Sequence, residues 1–265
     1  MSKLLRIVGP PGAGKTSEIS RYVERAADLY GIHRVAVASL TKAAAAEAST
    51  RTDLPRNAIG TLHHHAYQAL GRPTVAEDKR KLTEWNGYVE RIAPDLAMGQ
   101  DADYDDDLEI IDQRHGSGSE GEKLLAESNI YRARMIPVAQ WPEPCQRFWK
   151  VWSGWLKTTG YVDFTGMIEQ AIAKVPMLDG ISAFLVDEAQ DLSKLETTLV
   201  RQWGQHCEIF VICGDPDQNL YEFRGSDADA FYEGEAADTR VLAESYRCPT
   251  TVRDTALAWI EQCHE

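Results

Sequence analysis

The chain has 265 residues, of which 43% are hydrophobic and 26% charged, an ordinary balance for a soluble globular protein with one large or two modest domains. No apolar run approaches the length of a membrane span, and the opening MSKLLRIVGPPG lacks a signal-peptide core, so no membrane partner is expected. The net charge of −13 argues against indiscriminate nucleic-acid binding, yet residues 1–70 hold nine Lys/Arg against five Asp/Glu, a local excess compatible with a basic groove.

In chain order, LLRIV (4–8) reads as a short apolar strand and runs into GPPGAGKT. Ile19, Tyr22, Val23, Ala26 and Leu29/Tyr30 then recur at helical spacing from Thr16 onward, and Gly31 closes the helix. VAVASL (35–40) is a second buried strand, followed by an alanine-rich helix in TKAAAAEAS. Strand, helix, strand, helix predicts crossovers and a parallel sheet, hence an α/β fold.

From 71 to 160 the texture becomes helical. DADYDDDLEIID (101–112) has seven acids in twelve residues, and RHGSGSEGE (114–122) reads as a Gly/Ser hinge, so 101–122 is expected to be an acidic, flexible segment. WPEPCQRFWKVWSGWL (141–156) holds four of the seven tryptophans. Phe148, Trp149, Trp152, Trp155 and Leu156 share one helical face, read as packing against the neighbouring lobe rather than as base-stacking. Strands return near 181–186, 208–213 and 240–243. The five cysteines, Cys145, Cys207, Cys213, Cys248 and Cys263, form no CxxC pair and read as reduced, mostly buried thiols of a cytoplasmic protein.

Gly9 to Thr16 satisfies GxxxxGK[ST] between a strand and a helix start. Here Gly9, Pro10, Pro11, Gly12, Ala13 and Gly14 would turn backbone N–H groups around phosphates, and Lys15, Thr16 and Ser17 open the helix whose positive end faces them. Lys15 supplies a point charge to the outer phosphates of ATP, and the Thr16 hydroxyl is a ligand for Mg²⁺.

FLVDEAQDLS (184–193) ends an apolar strand in carboxylates. At the carboxyl edge of a parallel sheet, Asp187 is placed to hold that Mg²⁺, through water, and Glu188 to act as general base on an attacking water. Gln190 and Asp191 fall beyond the chemistry and could relay to another site. The adjacent His63-His64-His65 is not read as a zinc site, because neighbours on a helix point in different directions.

DEAQD resembles the Walker B sequence of UvrD/Rep-like superfamily 1A DNA helicases. The likeness continues in order through GPPGAGKT, SLTKAAAAE (39–47), GTLHHHAYQAL (60–70), YVDF (161–164), DEAQD, GDPDQNLYEFRGSD (214–227) and ESYRCP (244–249). It implies a RecA-like P-loop ATPase lobe formed by 1–70 plus 161–265, discontinuous around a helical insertion subdomain at 71–160. It implies that Gln218 senses the γ-phosphate and the attacking water, and that Arg247 is an arginine finger. It further implies that Phe223 stacks on a base of single-stranded DNA, though a core aromatic is the plainer reading. Tyr221, Arg224 and Asp227 would tie that contact to Gln218, while Thr41, Thr61 and His63 would touch the DNA backbone.

Three departures carry expectations of their own. No glutamine precedes Gly9, so weak discrimination among ATP, GTP and CTP is expected. Leu40 and Leu62 stand where the family often has phenylalanine, which weakens DNA grip there. The likeness stops at Arg247, so the second RecA-like lobe, in a longer chain or a partner, is expected to be missing, and this lobe alone to be slow or inactive in unwinding. The leading reading is the ATP-hydrolysing portion of a single-stranded-DNA translocase or helicase. The alternative is a nucleotide-gated DNA- or protein-binding platform without motor activity. A small-molecule kinase is disfavoured, because DEAQD and GDxxQ suit water rather than an acceptor.

Overall fold

The computed structural model describes residues 3–39, 54–99, 118–219, 225–226, 228–232, 236–247 and 249–263. Contacts group the chain into two compact units: residues 1–62, 177–193 and 200–265 in one, 63–176 and 194–199 in the other.

Among the described residues, the first unit is built on a six-stranded, all-parallel sheet of order β3-β2-β4-β5-β1-β6. Its strands are β1 (Lys3–Val8), β2 (Val35–Ser39), β3 (Ile59–Thr61), β4 (Ala183–Val186), β5 (Ile209–Gly214) and β6 (Asp238–Val241). VAVAS and AFLV are buried at every position, as parallel strands covered on both faces must be. Helix α1 (Lys15–Tyr30) buries Ile19, Val23 and Ala26 on one stripe against Ile7, Val37, Leu185 and Val211. Each fully buried Leu, Ile or Val of that cluster contributes about 1.5–3 kcal/mol over exposure. Gly31, at φ 92°, ends α1 with its N–H on the Ala27 carbonyl.

Because all six strands run the same way, the segments that follow them leave at one edge. Val8 pairs with Gly214 and with Val241, and Val186 pairs with Ile212, so the loops after β1, β4, β5 and β6 emerge side by side. The alanine-rich helix expected after Ser39 lies outside the described residues.

The second unit is helical: α2 (Leu62–Ala69, from His63 on), α3 (Lys79–Val89), α4 (Glu120–Ala133), α5 (Glu143–Thr159), α6 (Phe164–Lys174) and the start of α7 (Lys194–Gly204). The expected insertion, 71–160, falls within it. Its aromatic face does not wait for another lobe. Phe148, Trp152 and Trp155 of α5 close on Trp85 of α3, with the Trp85 and Trp152 rings 4.9 Å apart edge to face. Two of these indole N–H groups have acceptors within the cluster's surroundings: Trp85 donates to the Leu96 carbonyl at 3.1 Å and Trp152 to Asp163 Oδ2 at 2.7 Å.

Residues 119–122, expected to belong to the flexible acidic stretch, instead open α4. Ser119 Oγ accepts from the Glu122 N–H and the Glu122 carboxylate accepts from the Ser119 N–H, a reciprocal capping box that outweighs the local Gly/Ser content. Residues 100–117, most of that stretch, lie outside the described residues.

Asp163, from YVDF, is the polar hub of this unit. Fully buried, it caps α6 through the Gly166 N–H and accepts both Arg132 guanidinium arms at 2.8 and 2.9 Å. Burial alone would raise its carboxyl; Arg132 overrides this and holds it below the ordinary range. Arg132 also reaches Glu169 and lies 4.3 Å from the centre of the Trp149 ring. Two further helices follow, the short α8 (Ala228–Tyr232) and the longer α9 (Thr250–Cys263), which starts just after Pro249. No helix among the described residues is long and apolar enough to cross a membrane. Cys145, Cys207 and Cys213 are free and buried.

Candidate nucleotide site

Gly12 and Gly14 hold left-handed φ of 73° and 86°, so the loop after β1 curls over the start of α1 at positions that disfavour any side chain. Gly14 is the N-cap and no side chain caps the helix, so its first-turn N–H groups face the loop's interior. This is a donor-rich cradle suited to phosphate oxygens. Lys15 is buried, and its Nζ donates to the Gly9 carbonyl at 2.8 Å and the Pro10 carbonyl at 3.3 Å. The ammonium is thus stored against the loop it would leave to meet an anion. Ala13 packs under Gly9, and its N–H closes a turn on the Pro10 carbonyl.

The loop opens on a cavity of about 300 Å³. Its walls are Pro11, Gly12, Gly14, Lys15, Thr16 and Ser17 from the loop and α1, joined by Glu188, Gln218, Tyr246 and Arg247. Four segments far apart in the chain therefore supply one space, and every one of them belongs to the first unit.

Asp187 and Glu188 follow β4 directly. Asp187 is buried, does not line the cavity, and takes the Glu188 N–H on Oδ1 at 3.0 Å. Glu188 adopts φ 53°, ψ 39°, a left-handed conformation rare for a side-chain-bearing residue and of a kind that clusters at functional sites. From this bend Glu188 lines the cavity. Gln190, also buried, donates to Glu188 Oε2 and Asp191 Oδ2, each at 3.0 Å.

After β5, Asp215 caps the short turn Pro216–Gln218, and its carboxylate accepts the Gln218 amide. Burial raises the Asp215 carboxyl, and the Gln218 bond partly offsets that. After β6, the Leu242 N–H continues the ladder to the Val8 carbonyl at 2.7 Å. Ser245 Oγ then donates to the Pro11 carbonyl at 2.6 Å and the Tyr246 N–H to the Gly12 carbonyl at 3.0 Å. These two bonds seat Arg247 on the phosphate loop.

Of the residues expected to touch DNA, Thr61 ends β3 at the same sheet edge. His63 belongs to the second unit, where Phe164 and Glu196 enclose its ring, with Nδ1 3.8 Å from Glu196 Oε1. Burial lowers its basicity, with Glu196 opposing, so the ring is neutral near pH 7 and the contact is not an ion pair. Thr41, Tyr221, Phe223, Arg224 and Asp227 lie outside the described residues. Ser226 Oγ donates to Asn219 Oδ1 at 2.6 Å, and Ser226 bridges to Ser193. Tyr246, largely exposed at the cavity mouth, escaped the reading of motifs; an aromatic beside the expected arginine finger was its one signal.

A parallel sheet with a phosphate loop at its carboxyl edge, faced by an acidic strand end, a glutamine and an arginine, defines a RecA-like P-loop nucleotide-binding lobe. The chain belongs to the AAA domain family whose model matches residues 1–224, and its lobe is of the UvrD/Rep-like superfamily 1 helicase type. It is 24% identical over 262 residues to F-box DNA helicase 1 of Gallus gallus, covering 92% of this chain and 25% of that protein. DNA helicase IV of Escherichia coli K12 is 33% identical over 126 residues, 43% of this chain and 18% of the relative. ATP-dependent DNA helicase SRS2 of Saccharomyces cerevisiae is 29% identical over 127 residues, 43% of this chain and 11% of the relative. The chain thus spans a quarter or less of the length of these relatives.

Proposed function

We propose that this chain is the ATP-binding and ATP-hydrolysing portion of a single-stranded-DNA translocase or DNA helicase, incomplete as a motor without a second lobe. One observation carries the reading: Lys15, Thr16, Glu188, Gln218 and Arg247 face a single cavity. The cradle and stored ammonium fit a triphosphate. Thr16 lines the cavity and Asp187 ends the neighbouring strand, so their oxygens would be the ligands for Mg²⁺, which would neutralise charge on the phosphate oxygens.

In this reading Lys15 leaves the Gly9 and Pro10 carbonyls for the outer phosphates. Glu188 takes a proton from a water held in the cavity. Gln218 orients that water and registers whether the γ-phosphate is present. Arg247 offsets negative charge that grows on the phosphoryl oxygens as the bond breaks. Hydrolysis, rather than transfer to a small acceptor, suits a cavity lined by a carboxylate and a glutamine that can hold a water. Single-stranded DNA is proposed to cross the sheet edge near Thr61, with Thr41, Tyr221, Phe223 and Arg224 supplying the further contacts that the family resemblance implies. Stacking on Phe223 would be worth ~1–3 kcal/mol per base. Burial lowers the basicity of His63, so a backbone contact from it would begin from a ring biased towards the neutral form.

Steady-state hydrolysis with and without single-stranded DNA tests this. DNA-stimulated turnover that disappears in Glu188→Gln, with nucleotide binding retained, supports the hydrolytic reading. Nucleotide binding without turnover under any DNA condition identifies the alternative, a nucleotide-gated platform.

A further inference from the structure

Gln190 stands two residues beyond Glu188 and is 2% exposed. Its side chain has two N–H donors and a carbonyl, and all are engaged. Nε2 gives one hydrogen to Glu188 Oε2 and the other to Asp191 Oδ2, while Oε1 accepts the Asp215 N–H at 3.0 Å. The Asp215 side chain in turn accepts the Gln218 amide and, at 3.3 Å, the Asp217 N–H. A continuous line therefore runs Glu188–Gln190–Asp215–Gln218, joining the loops after neighbouring strands β4 and β5. Away from water such bonds keep more of their strength than exposed ones.

Two further observations indicate that this amide has to be where it is. Glu188 sits at φ 53°, a conformation that persists only when its surroundings hold it. And Gly214 leaves the space the amide occupies: a Cβ there would stand 2.4 Å from Gln190 Oε1. A glycine ends β5 where a strand would ordinarily carry a side chain, and the vacated volume is filled by the glutamine of another loop.

We propose that Gln190 is a positioning residue for hydrolysis, which aims the Glu188 carboxylate and couples it to the Gln218 loop so that the base and the γ-phosphate sensor are set together. The inference rests on the hydrolytic reading above. A glutamate at 190 can still accept the Asp215 N–H but has no donor for Glu188, whereas a leucine keeps the bulk and loses every bond. The alternative is a plain structural plug, in which the amide only satisfies buried groups.

The test compares the full chain with Gln190→Glu, Gln190→Leu, Gly214→Ala and Glu188→Gln, measuring kcat and KM for ATP with single-stranded DNA, fluorescent-ADP affinity and melting temperature. Both Gln190 variants are expected to lose roughly 10–100-fold in kcat, within the contribution of a positioned general base, while KM and ADP affinity move less than about threefold. Gly214→Ala leaves Gln190 in the chain but pushes its amide aside, and is expected to show the same split. Gln190 variants that melt lower yet turn over at the wild-type rate per folded molecule overturn the inference. If they do not fold, wild-type kcat in Gly214→Ala overturns it. A wild-type chain with no turnover refutes the hydrolytic reading and takes this inference with it. An active wild type, an inactive Glu188→Gln and unimpaired Gln190 variants refute the inference alone.

Discussion

Arg247 lies so close over Gly12 that a Cβ built at position 12 would stand 2.2 Å from the Arg247 Cβ and 2.9 Å from its backbone nitrogen. The glycine thus permits both the left-handed turn of the phosphate loop and the seating of the arginine upon it. Gly12→Ala is expected to lift the 245–247 segment, because backbone rather than a pliable side-chain end is in the way. Misplacement of a catalytic group by an ångström can cost ~10²-fold, so kcat for ATP should fall by at least about tenfold. An unchanged kcat would show that Arg247 does not act from this position.

Lys15→Ala addresses the first binding step. The amine is held by two carbonyls of its own loop, at 2.8 and 3.3 Å, and exchanging these for phosphate oxygens makes charge-assisted bonds. Such bonds are worth about 1.5–3 kcal/mol, so nucleotide affinity should weaken by at least roughly tenfold. Titration with a fluorescent nucleotide reads this directly, and retained affinity would remove the phosphate loop from the account.

Glu77 makes the helical unit pH-sensitive. It is 2% exposed, Oε1 accepts the Phe164 N–H at 3.0 Å, and burial, then the nearby Asp163 carboxylate, push its carboxyl up to about 8 from 4.5. Between those values the folded chain holds a proton that the unfolded chain has released, so stability falls as pH rises from about 4.5 to 8 and is flat beyond. Glu77→Gln keeps the acceptor for Phe164 and has no proton to lose. Its melting temperature at pH 8 should exceed that of the wild type, with the gap closing towards pH 5; a constant gap would place the titration elsewhere.

Arg132→Met should unfold the same unit more readily. It leaves the fully buried Asp163 without its guanidinium, and breaking one side of a buried pair costs about 3–5 kcal/mol. Tryptophan emission during urea unfolding reports on the cluster around Trp85 and Trp152. Asp163→Asn combined with Arg132→Met should lose less than the sum of the single changes, since each removes the other's partner. Additive losses would contradict the pair.

How much of this was readable beforehand differs by element. The phosphate loop, its flanking strand and helix, and the parallel sheet follow from local pattern: GxxxxGK[ST] has its own geometry, and VAVAS and AFLV show strands covered on both faces. Glu188 could be named from its place at an apolar strand end, whereas Gln218 and Arg247 came from the family resemblance; all three line one cavity. What Gln190 touches could not be read, since its bond to the Asp215 N–H depends on which strand lies beside β4. For the same reason the tryptophan face of α5 was assigned to the wrong neighbour: periodicity shows that a face is buried, never against what. Glu77 gave no signal at all. It lies in AEDKRK, a stretch that looks like surface, and only the fold around Phe164 shuts it away from water.

The order of the sheet has a mechanical corollary. Among the described residues β6 is the outermost ribbon on its side and β1 is next to it, whereas four strands buttress β1 on the other flank. The phosphate loop is therefore one inter-strand spacing, roughly 4.8 Å, from the sheet's rim. The rim strand also continues, through Leu242 and Ser245, onto the loop itself. A push or tug delivered at that margin arrives at the phosphates after a single link, while the same force applied at β3 would be spread over the whole breadth of the sheet.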